Sequence, residues 1–215
     1  MLGYAQLSKR KLSQPDVLKK HLDTIESETR RCNEIISNLM QFSRQEKGEF
    51  TDVTVNDVVE KSVGIVDHQL GLQNVHVNME LARDIPEIIG NPNQLQQVLM
   101  NLAINAQQAM EPDGGNVDIV TYCDDDKVYI SVSDTGPGIS EEVAEKVFEP
   151  FFTTKAAGEG TGLGLSVTYG IIRDHKGDIR VERADSGGAR FVIELPLHIS
   201  RQPESIGSLS LEKAS

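Results

Sequence analysis

The feature that most constrains the fold is a heptad seam within the first 47 residues of the chain. Its apolar or small members are spaced alternately four and three positions apart, at Leu18, Leu22, Ile25, Thr29, Cys32, Ile36 and Leu39. This spacing is typical of a helix that packs lengthwise against other helices. Because residues 1–12, which also look helical, offer too little partner surface, we predict a helical hairpin that forms a homodimer through residues 1–46. The alternative is a helix that packs on the rest of the chain.

The pattern changes after a polar linker at residues 45–49. Short alternating runs, typical of strands, are then interspersed with helix-like segments. The predicted strands are 51–55, 75–79, 116–122, 127–133, 178–182 and 189–195, and the predicted helices are 56–69 capped by Asn56, 91–110, a short one capped by Ser140, and 162–174. Residues 149–161 are predicted to be a mobile loop.

These elements indicate an α+β fold, in which helices cover one face of a mixed, mainly antiparallel sheet. We therefore predict three regions: a partial helical hairpin at residues 1–47, a catalytic or binding domain at 48–199, and a polar, disordered tail at 200–215.

The net charge of −12 argues against a nucleic-acid partner, because phosphate backbones need a basic surface. There is no signal peptide and no apolar run of about 18 residues or more, so we expect no membrane segment. The two cysteines, Cys32 and Cys123, fit no metal or disulfide framework. We interpret both as core thiols in a reducing, cytoplasmic compartment.

Two clusters carry groups suited to a nucleotide. Asn101 and Asn105 are four residues apart on a predicted helix, so both amide oxygens project from one face and could hold a hard cation. The segment 134–139, DTGPGI, offers the acceptor Asp134 for an exocyclic amine, and its glycines allow a flat ring to approach. Taken singly, the two clusters have plainer interpretations: an exposed asparagine pair without a ligand, and an ordinary turn.

Two further clusters flank the predicted loop. Residues 149–155, EPFFTTK, place two aromatic residues before Lys155, which could reach terminal phosphates or be an ordinary surface lysine. Residues 160–166, GTGLGLS, open a helix with small residues whose backbone amides suit an anion. The spacing matches neither a P-loop nor a Rossmann fingerprint.

Taken in order, these clusters resemble the ATP-binding domain of sensor histidine kinases. The N box, first glycine box, F box and second glycine box of that family correspond to NLAINA, DTGPGI, EPFFTTK and GTGLGLS, and the likeness covers about residues 50–197. The preceding seam resembles the second helix of the family's dimerisation and phosphotransfer domain. The resemblance implies the Bergerat α/β sandwich that is shared with chaperone, topoisomerase and mismatch-repair ATPases.

The resemblance also implies ATP and Mg²⁺ as ligands. It suggests Asn105 as the Mg²⁺ ligand with Asn101 as a possible second one, Asp134 as the adenine-binding carboxylate, and Asn101 and Lys155 as catalytic residues. The nucleotide-binding positions it implies are Asn101, Asn105, Gln108, Asp134, Gly136, Gly138, Ile139, Phe152, Thr153, Thr154, Lys155, Gly160, Thr161, Gly162, Leu163, Gly164 and Leu165.

One residue helps to distinguish a histidine kinase from an ATPase of the same superfamily. Hydrolysing relatives carry a glutamate where this chain has Asn101, and an amide cannot accept a proton from water. We therefore expect transfer of the γ-phosphate to a histidine rather than fast hydrolysis. The alternatives are an ATP-sensing dimerisation module without transfer activity, and an ATPase of the same superfamily.

The resemblance places the family's acceptor histidine just upstream of Met1. We therefore expect an excised part of a longer kinase, with a natural short form as the alternative, and in either case a chain that does not phosphorylate itself on the usual residue. His21, His68, His76, His175 and His198 lack the acceptor pattern and are interpreted as structural or surface residues, with His175 as a cation suited to a helix end. The implied partners are the histidine-bearing helix and a cognate response regulator. The sequence leaves open whether the longer protein is membrane-anchored.

Overall fold

The computed structural model describes residues 16–26, 29, 49–155 and 160–197. Residues 16–26 are helical (α1), as the seam predicts for them. The predicted helix at 1–12, most of the seam beyond residue 26, and the predicted tail at 200–215 lie outside the described residues. No helix in the described part of the chain has the length and apolar character needed to cross a membrane.

A five-stranded sheet forms the centre of the molecule. In spatial order it runs β2 (Val75–Leu81), β4 (Gly115–Cys123), β5 (Lys127–Asp134), β7 (Ala189–Pro196) and β6 (Asp178–Arg183). The β2–β4 pair is parallel and the other three pairs are antiparallel. The predicted mixed, mainly antiparallel sheet is therefore confirmed.

Two short strands form a separate antiparallel pair, β1 (Thr51–Val53) with β3 (Ile88–Gly90). The sequence did not indicate β3, because so short a run cannot show an alternating pattern. This pair brings residue 53 beside residue 88 and so fixes the chain before the first long helix.

Helices cover one face of the large sheet. They are α2 (Val55–Gly71), α3 (Pro92–Ala109) and α5 (Gly164–Asp174), whereas the short α4 (Glu141–Ala144) has no buried residue. The buried side chains of α2 and α3 join those of β4, β5 and β7 in one core, which includes the fully buried Leu70, Leu102, Val117, Ile193 and Leu195. Burial of this apolar surface is the main driving force for the fold.

The start of α3 follows its sequence signals. The Asn91 side chain accepts hydrogen bonds from the backbone amides of Asn93 and Gln94, and Pro92 occupies the first helical turn. Ser140 likewise caps the short α4 by accepting from the Val143 amide. The predicted Ser140 cap is confirmed, and the predicted helix 91–110 is confirmed to within one residue at each end, with Asn91 as its cap.

Two predicted helix starts are wrong. The cap of α2 is Thr54 and not Asn56, which lies inside the helix and donates instead to the carbonyl of Ala82. Helix α5 begins at Gly164 and not at Gly162, because Gly162 has a φ of 65°, which a right-handed helix excludes.

The predicted burial of Cys123 is also wrong, because this thiol is exposed at the last residue of β4. In that strand the buried positions end at Thr121. An alternating pattern predicts which face a side chain occupies but not how far the covering helices extend. Cys32 lies outside the described residues.

His175, at the C-terminal end of α5, is 1% exposed and joins three parts of the domain. Its Nε2 accepts from the Asn91 backbone amide at 2.9 Å, and its Nδ1 donates to the Ile171 carbonyl at 2.8 Å. The Phe50 ring packs on it with centroids 4.7 Å apart. These roles require the neutral imidazole, and burial lowers the pKa of His175, so the predicted helix-end cation is wrong.

We predict that His175 makes the domain less stable in mild acid. Since its pKa in the folded state is below the ordinary 6.5, the unfolded chain binds the extra proton first, and stability falls as the pH drops below 6.5. His175→Gln should cost about 1–3 kcal/mol near neutral pH, and the difference from wild type should shrink towards about pH 5. Urea titrations across this range measure both quantities.

The matched control is His76→Gln, since His76 is exposed on β2. This variant should leave the pH dependence of the wild type in place. A difference between wild type and His175→Gln that stays constant with pH would contradict a neutral, buried imidazole.

Candidate functional site

The carboxylate of Asp134 ends β5 and is buried, with a residue exposure of 5%. Its Oδ1 accepts hydrogen bonds from the backbone amides of Gly136, at 2.8 Å, and Ala189, at 3.2 Å. Burial raises the pKa of the Asp134 carboxyl, and the two backbone hydrogen bonds partly oppose this rise. Both of these bonds end on one oxygen, so Oδ2 is left to accept from a ligand.

Two backbone segments that contain glycines lie next to this carboxylate. Gly138 has a φ of 79°, and a Cβ atom there would lie 2.6 Å from the carbonyl oxygen of Gly187. At Gly188 a Cβ atom would lie 2.0 Å from the Asp134 carbonyl oxygen. Side chains at these two positions would therefore displace the segments that meet at the end of β5.

Sequence reasoning missed the turn between β6 and β7 as part of this site. Besides the Ala189 amide, the Ser186 hydroxyl donates to the Asp134 carbonyl at 3.0 Å. The only signal in the sequence is Ser-Gly-Gly at residues 186–188, which is typical of a hairpin turn and does not by itself indicate a binding site. The pairing of β5 with β7, which places the turn beside Asp134, was not predictable from that sequence.

The two asparagines of α3 lie opposite the start of α5. Asn101 Nδ2 donates to the Gly164 carbonyl, at 3.3 Å, and to the Thr168 hydroxyl, at 3.4 Å. A Cβ atom at Gly164 would lie 4.0 Å from Asn105 Nδ2. The N-box amides and the second glycine box, which are far apart in the sequence, are therefore neighbours in space.

The N-terminus of α5 has no side-chain cap. Leu163 occupies the cap position and makes no capping hydrogen bond through its side chain, while its own amide donates to the Thr161 hydroxyl at 3.4 Å. The amides of the first turn, from Gly164 to Ser166, are therefore available to an anion, and the helix dipole favours negative charge there.

The two ends of the predicted loop are joined. The Phe151 amide donates to the Gly162 carbonyl at 2.9 Å, and a Cβ atom at Gly162 would lie 2.4 Å from the Phe151 carbonyl carbon. The Lys155 ammonium donates to the Gln108 side-chain oxygen of α3. Residues 156–159, and with them the centre of the predicted mobile loop, lie outside the described residues.

The predicted site residues thus gather around α3. Gly136 and Lys155 approach its C-terminal end, where a Cβ atom at Gly136 would lie 3.3 Å from Met110 Cγ and Lys155 donates to Gln108, while Gly164 approaches its middle at Asn101. Ile139 and Leu165 pack partly on the hydrophobic core. Nucleotide contacts for Phe152, Thr153, Thr154, Gly160 and Thr161 remain predictions, and so do the other assigned roles.

A carboxylate or histidine cage for a metal is not found in the described residues, which contain no suitable group of three such side chains. The side-chain oxygens available to a cation are those of the Asn101 and Asn105 carboxamides. Mg²⁺ commonly takes few protein ligands, keeps several waters and binds phosphate oxygens. This donor set therefore fits a magnesium ion that arrives with a nucleotide.

Two family models match the chain. Residues 90–199 match the histidine kinase-, DNA gyrase B-, and HSP90-like ATPase family, and residues 1–48 match the His Kinase A (phospho-acceptor) domain.

Curated relatives are longer proteins. Sporulation kinase E of Bacillus subtilis (strain 168) is 36% identical over 196 residues, which are 91% of this chain and 26% of that protein. The signal transduction histidine-protein kinase AtoS of Escherichia coli (strain K12) is 36% identical over 197 residues, which are 91% of this chain and 32% of that protein. The chain thus spans about a third or less of the length of these relatives.

Solved structures share the fold. The catalytic domain of histidine kinase ThkA superposes with a TM-score of 0.62 at 34% identity, covering 69% of this chain and 97% of that one. ThkA in complex with the response regulator protein TrrA gives a TM-score of 0.72 at 30% identity, covering 91% of this chain and 56% of that one. With the buried carboxylate, the paired asparagines and the uncapped helix in place, the chain belongs to the histidine kinase-, DNA gyrase B- and HSP90-like ATPase family, in its histidine kinase branch.

Proposed function

We propose that this chain is the ATP-binding catalytic part of a two-component sensor histidine kinase. It binds Mg²⁺-ATP and transfers the γ-phosphate to a histidine on a helix outside this chain, for relay to a response regulator. The observation that carries the proposal is the buried Asp134 carboxylate, whose Oδ1 is occupied by two backbone amides. Its Oδ2 is suited to accept a hydrogen bond from the exocyclic amine of adenine.

The triphosphate would extend from this carboxylate towards α5. The first-turn amides of α5 suit phosphate oxygens, and Lys155, at the edge of the loop, supplies a positive charge nearby. Asn105, with Asn101 beside it, would hold the Mg²⁺. The ion, when bound, neutralises negative charge on the phosphate oxygens.

The residues near the expected position of the phosphates favour transfer of the γ-phosphate over its hydrolysis. Asn101 directs its amide donors to α5, and a carboxamide has no basic lone pair with which to activate water. The domain therefore positions the γ-phosphate for an incoming nucleophile. His175 is unsuited to be that nucleophile, because it is 1% exposed and both of its ring nitrogens are hydrogen-bonded.

The family match and the similar structures support two proposed partners, a second copy of the chain and a response regulator. The match of residues 1–48 to the phospho-acceptor domain supports a homodimer through residues 1–46, next to a catalytic domain at 48–199. The similar kinase ThkA has been solved in complex with the response regulator protein TrrA, which supports such a partner here. We place the domain in the cytoplasm, where ATP is available.

Asp134→Asn should test the adenine contact directly. The side-chain oxygen of the introduced asparagine can still accept from the Gly136 and Ala189 amides, but its NH₂ group meets the adenine amine donor to donor. We expect the affinity for Mg²⁺-ATP to fall by about 10- to 100-fold in calorimetry, with little change in melting temperature.

Inosine triphosphate is the matched control ligand, because its base carries a carbonyl where adenine carries the exocyclic amine. Its affinity for Asp134→Asn should equal or exceed its affinity for wild type. If both nucleotides bind both proteins equally well, Asp134 does not contact the base.

Asn101→Glu should separate kinase from ATPase chemistry. A carboxylate at this position can accept a proton from water, so ATP hydrolysis should rise by about tenfold or more, with ATP affinity within about threefold of wild type. Phosphate release and calorimetry measure the two quantities. Asn101→Gln, which lengthens the side chain without adding a base, is the control, and an equal rise in both variants would contradict the positional argument.

Phosphate transfer itself can be measured by adding a dimeric helical domain that carries a family-type acceptor histidine. Acid-labile label from γ-labelled ATP should appear on that domain and not on this chain. Tight ATP binding without any transfer would support the alternative of an ATP-sensing module. Acid-labile label on this chain would show that one of its own histidines is the acceptor.

A further inference from the structure

We propose that the Thr168 hydroxyl is a positioning group that fixes the orientation of the Asn101 carboxamide, so that the amide oxygen, and not the NH₂ group, faces the bound Mg²⁺-nucleotide. This inference rests on the proposed function, since it concerns the same site. It adds a residue outside all four sequence clusters.

The contacts of Asn101 are one-sided. Its Nδ2 atom carries two N–H donors, and two acceptors on α5 meet them: the Gly164 carbonyl at 3.3 Å and the Thr168 hydroxyl at 3.4 Å. Among the described residues, no group donates to Asn101 Oδ1. That oxygen is also not one of the fully buried polar atoms without a partner, so it is at least partly accessible.

The position of Thr168 makes its hydroxyl unusual. The residue is 0% exposed, and its neighbours one turn further along α5, Ile171 and Ile172, are buried and apolar. A buried hydroxyl costs free energy unless it is hydrogen-bonded, and an isosteric valine would avoid that cost. Packing alone therefore does not explain an oxygen here, whereas the hydrogen bond from Asn101 does.

The orientation of the amide decides whether Asn101 attracts or repels a cation. With the NH₂ group held by α5, the oxygen presents a partial negative charge to the ligand. If the side chain turned over, its donors would face the Mg²⁺ and the oxygen would meet two acceptors on α5. The Thr168 hydroxyl can itself donate to that oxygen, but the Gly164 carbonyl cannot, so α5 favours the productive orientation.

Calorimetry of ADP binding, with Mg²⁺ and with EDTA, tests this inference without any chemical step. The measured quantity is the gain in affinity that Mg²⁺ gives. We expect Thr168→Val to reduce this gain by about fivefold and to leave the affinity in EDTA within about twofold of wild type. Thr168→Ser, which keeps the hydroxyl, should retain the wild-type gain within about twofold.

A double-mutant cycle identifies the route of the effect. Because Thr168 acts through Asn101, Thr168→Val should have no further effect on the Mg²⁺ gain in an Asn101→Ala background. A purely structural role would lower the melting temperature of Thr168→Val and weaken binding equally with Mg²⁺ and with EDTA.

The outcomes separate the two proposals. Two results would overturn the positioning role and leave the proposed function intact. In the first, Thr168→Val keeps the wild-type gain in affinity from Mg²⁺. In the second, Thr168→Val lowers this gain by the same factor in the Asn101→Ala background as in wild type. A wild-type protein that gains nothing from Mg²⁺ overturns magnesium binding at Asn101, and the positioning role with it.

Discussion

A carboxylate that is almost fully buried at the end of a central strand constrains the whole of this domain. Burial raises the pKa of Asp134, so its ionised form is less favourable here than in water, and two backbone amides only partly compensate. The β6–β7 turn and the glycines after β5 are arranged around this group. A ligand amine would donate a further hydrogen bond to the Asp134 carboxylate. The carboxylate therefore has fewer hydrogen-bond donors in the empty site than in the occupied one.

Helix α3 is the element against which the other parts of the site are placed. Its start is fixed locally by Asn91 and Pro92, and its apolar stripe is buried against the sheet. Its polar face meets α5 through Asn101 and the loop through Gln108. Helix α5 is joined to α3 at two points: Thr168 meets Asn101 in the middle of α3, and His175 meets Asn91 at its start. The proposed metal-binding and phosphate-binding groups therefore keep a defined separation.

Much of the fold and of the site was predictable because the signals are local. Alternating runs predicted the strands of the large sheet, and each nucleotide-binding cluster is contiguous in the sequence. What was missed depends on contacts between distant residues: Ser186 with Asp134, Thr168 with Asn101, and the pairing of β1 with β3. The neutral state of His175 and the exposure of Cys123 were missed because burial depends on the packing of several elements.

The tilted ring contact between Phe50 and His175 has a consequence for how the chain enters the domain. Phe50 lies at the start of the domain, in the stretch that follows the polar linker, and its ring contacts the imidazole that joins α5 to the start of α3. Phe50 therefore contacts the joint between α5 and the start of α3, the two helices that carry the proposed phosphate-binding and metal-binding groups. Because β1 follows Phe50 directly, the entry of the chain into the domain is held at two adjacent places, by the Phe50–His175 ring contact and by the β1–β3 pair.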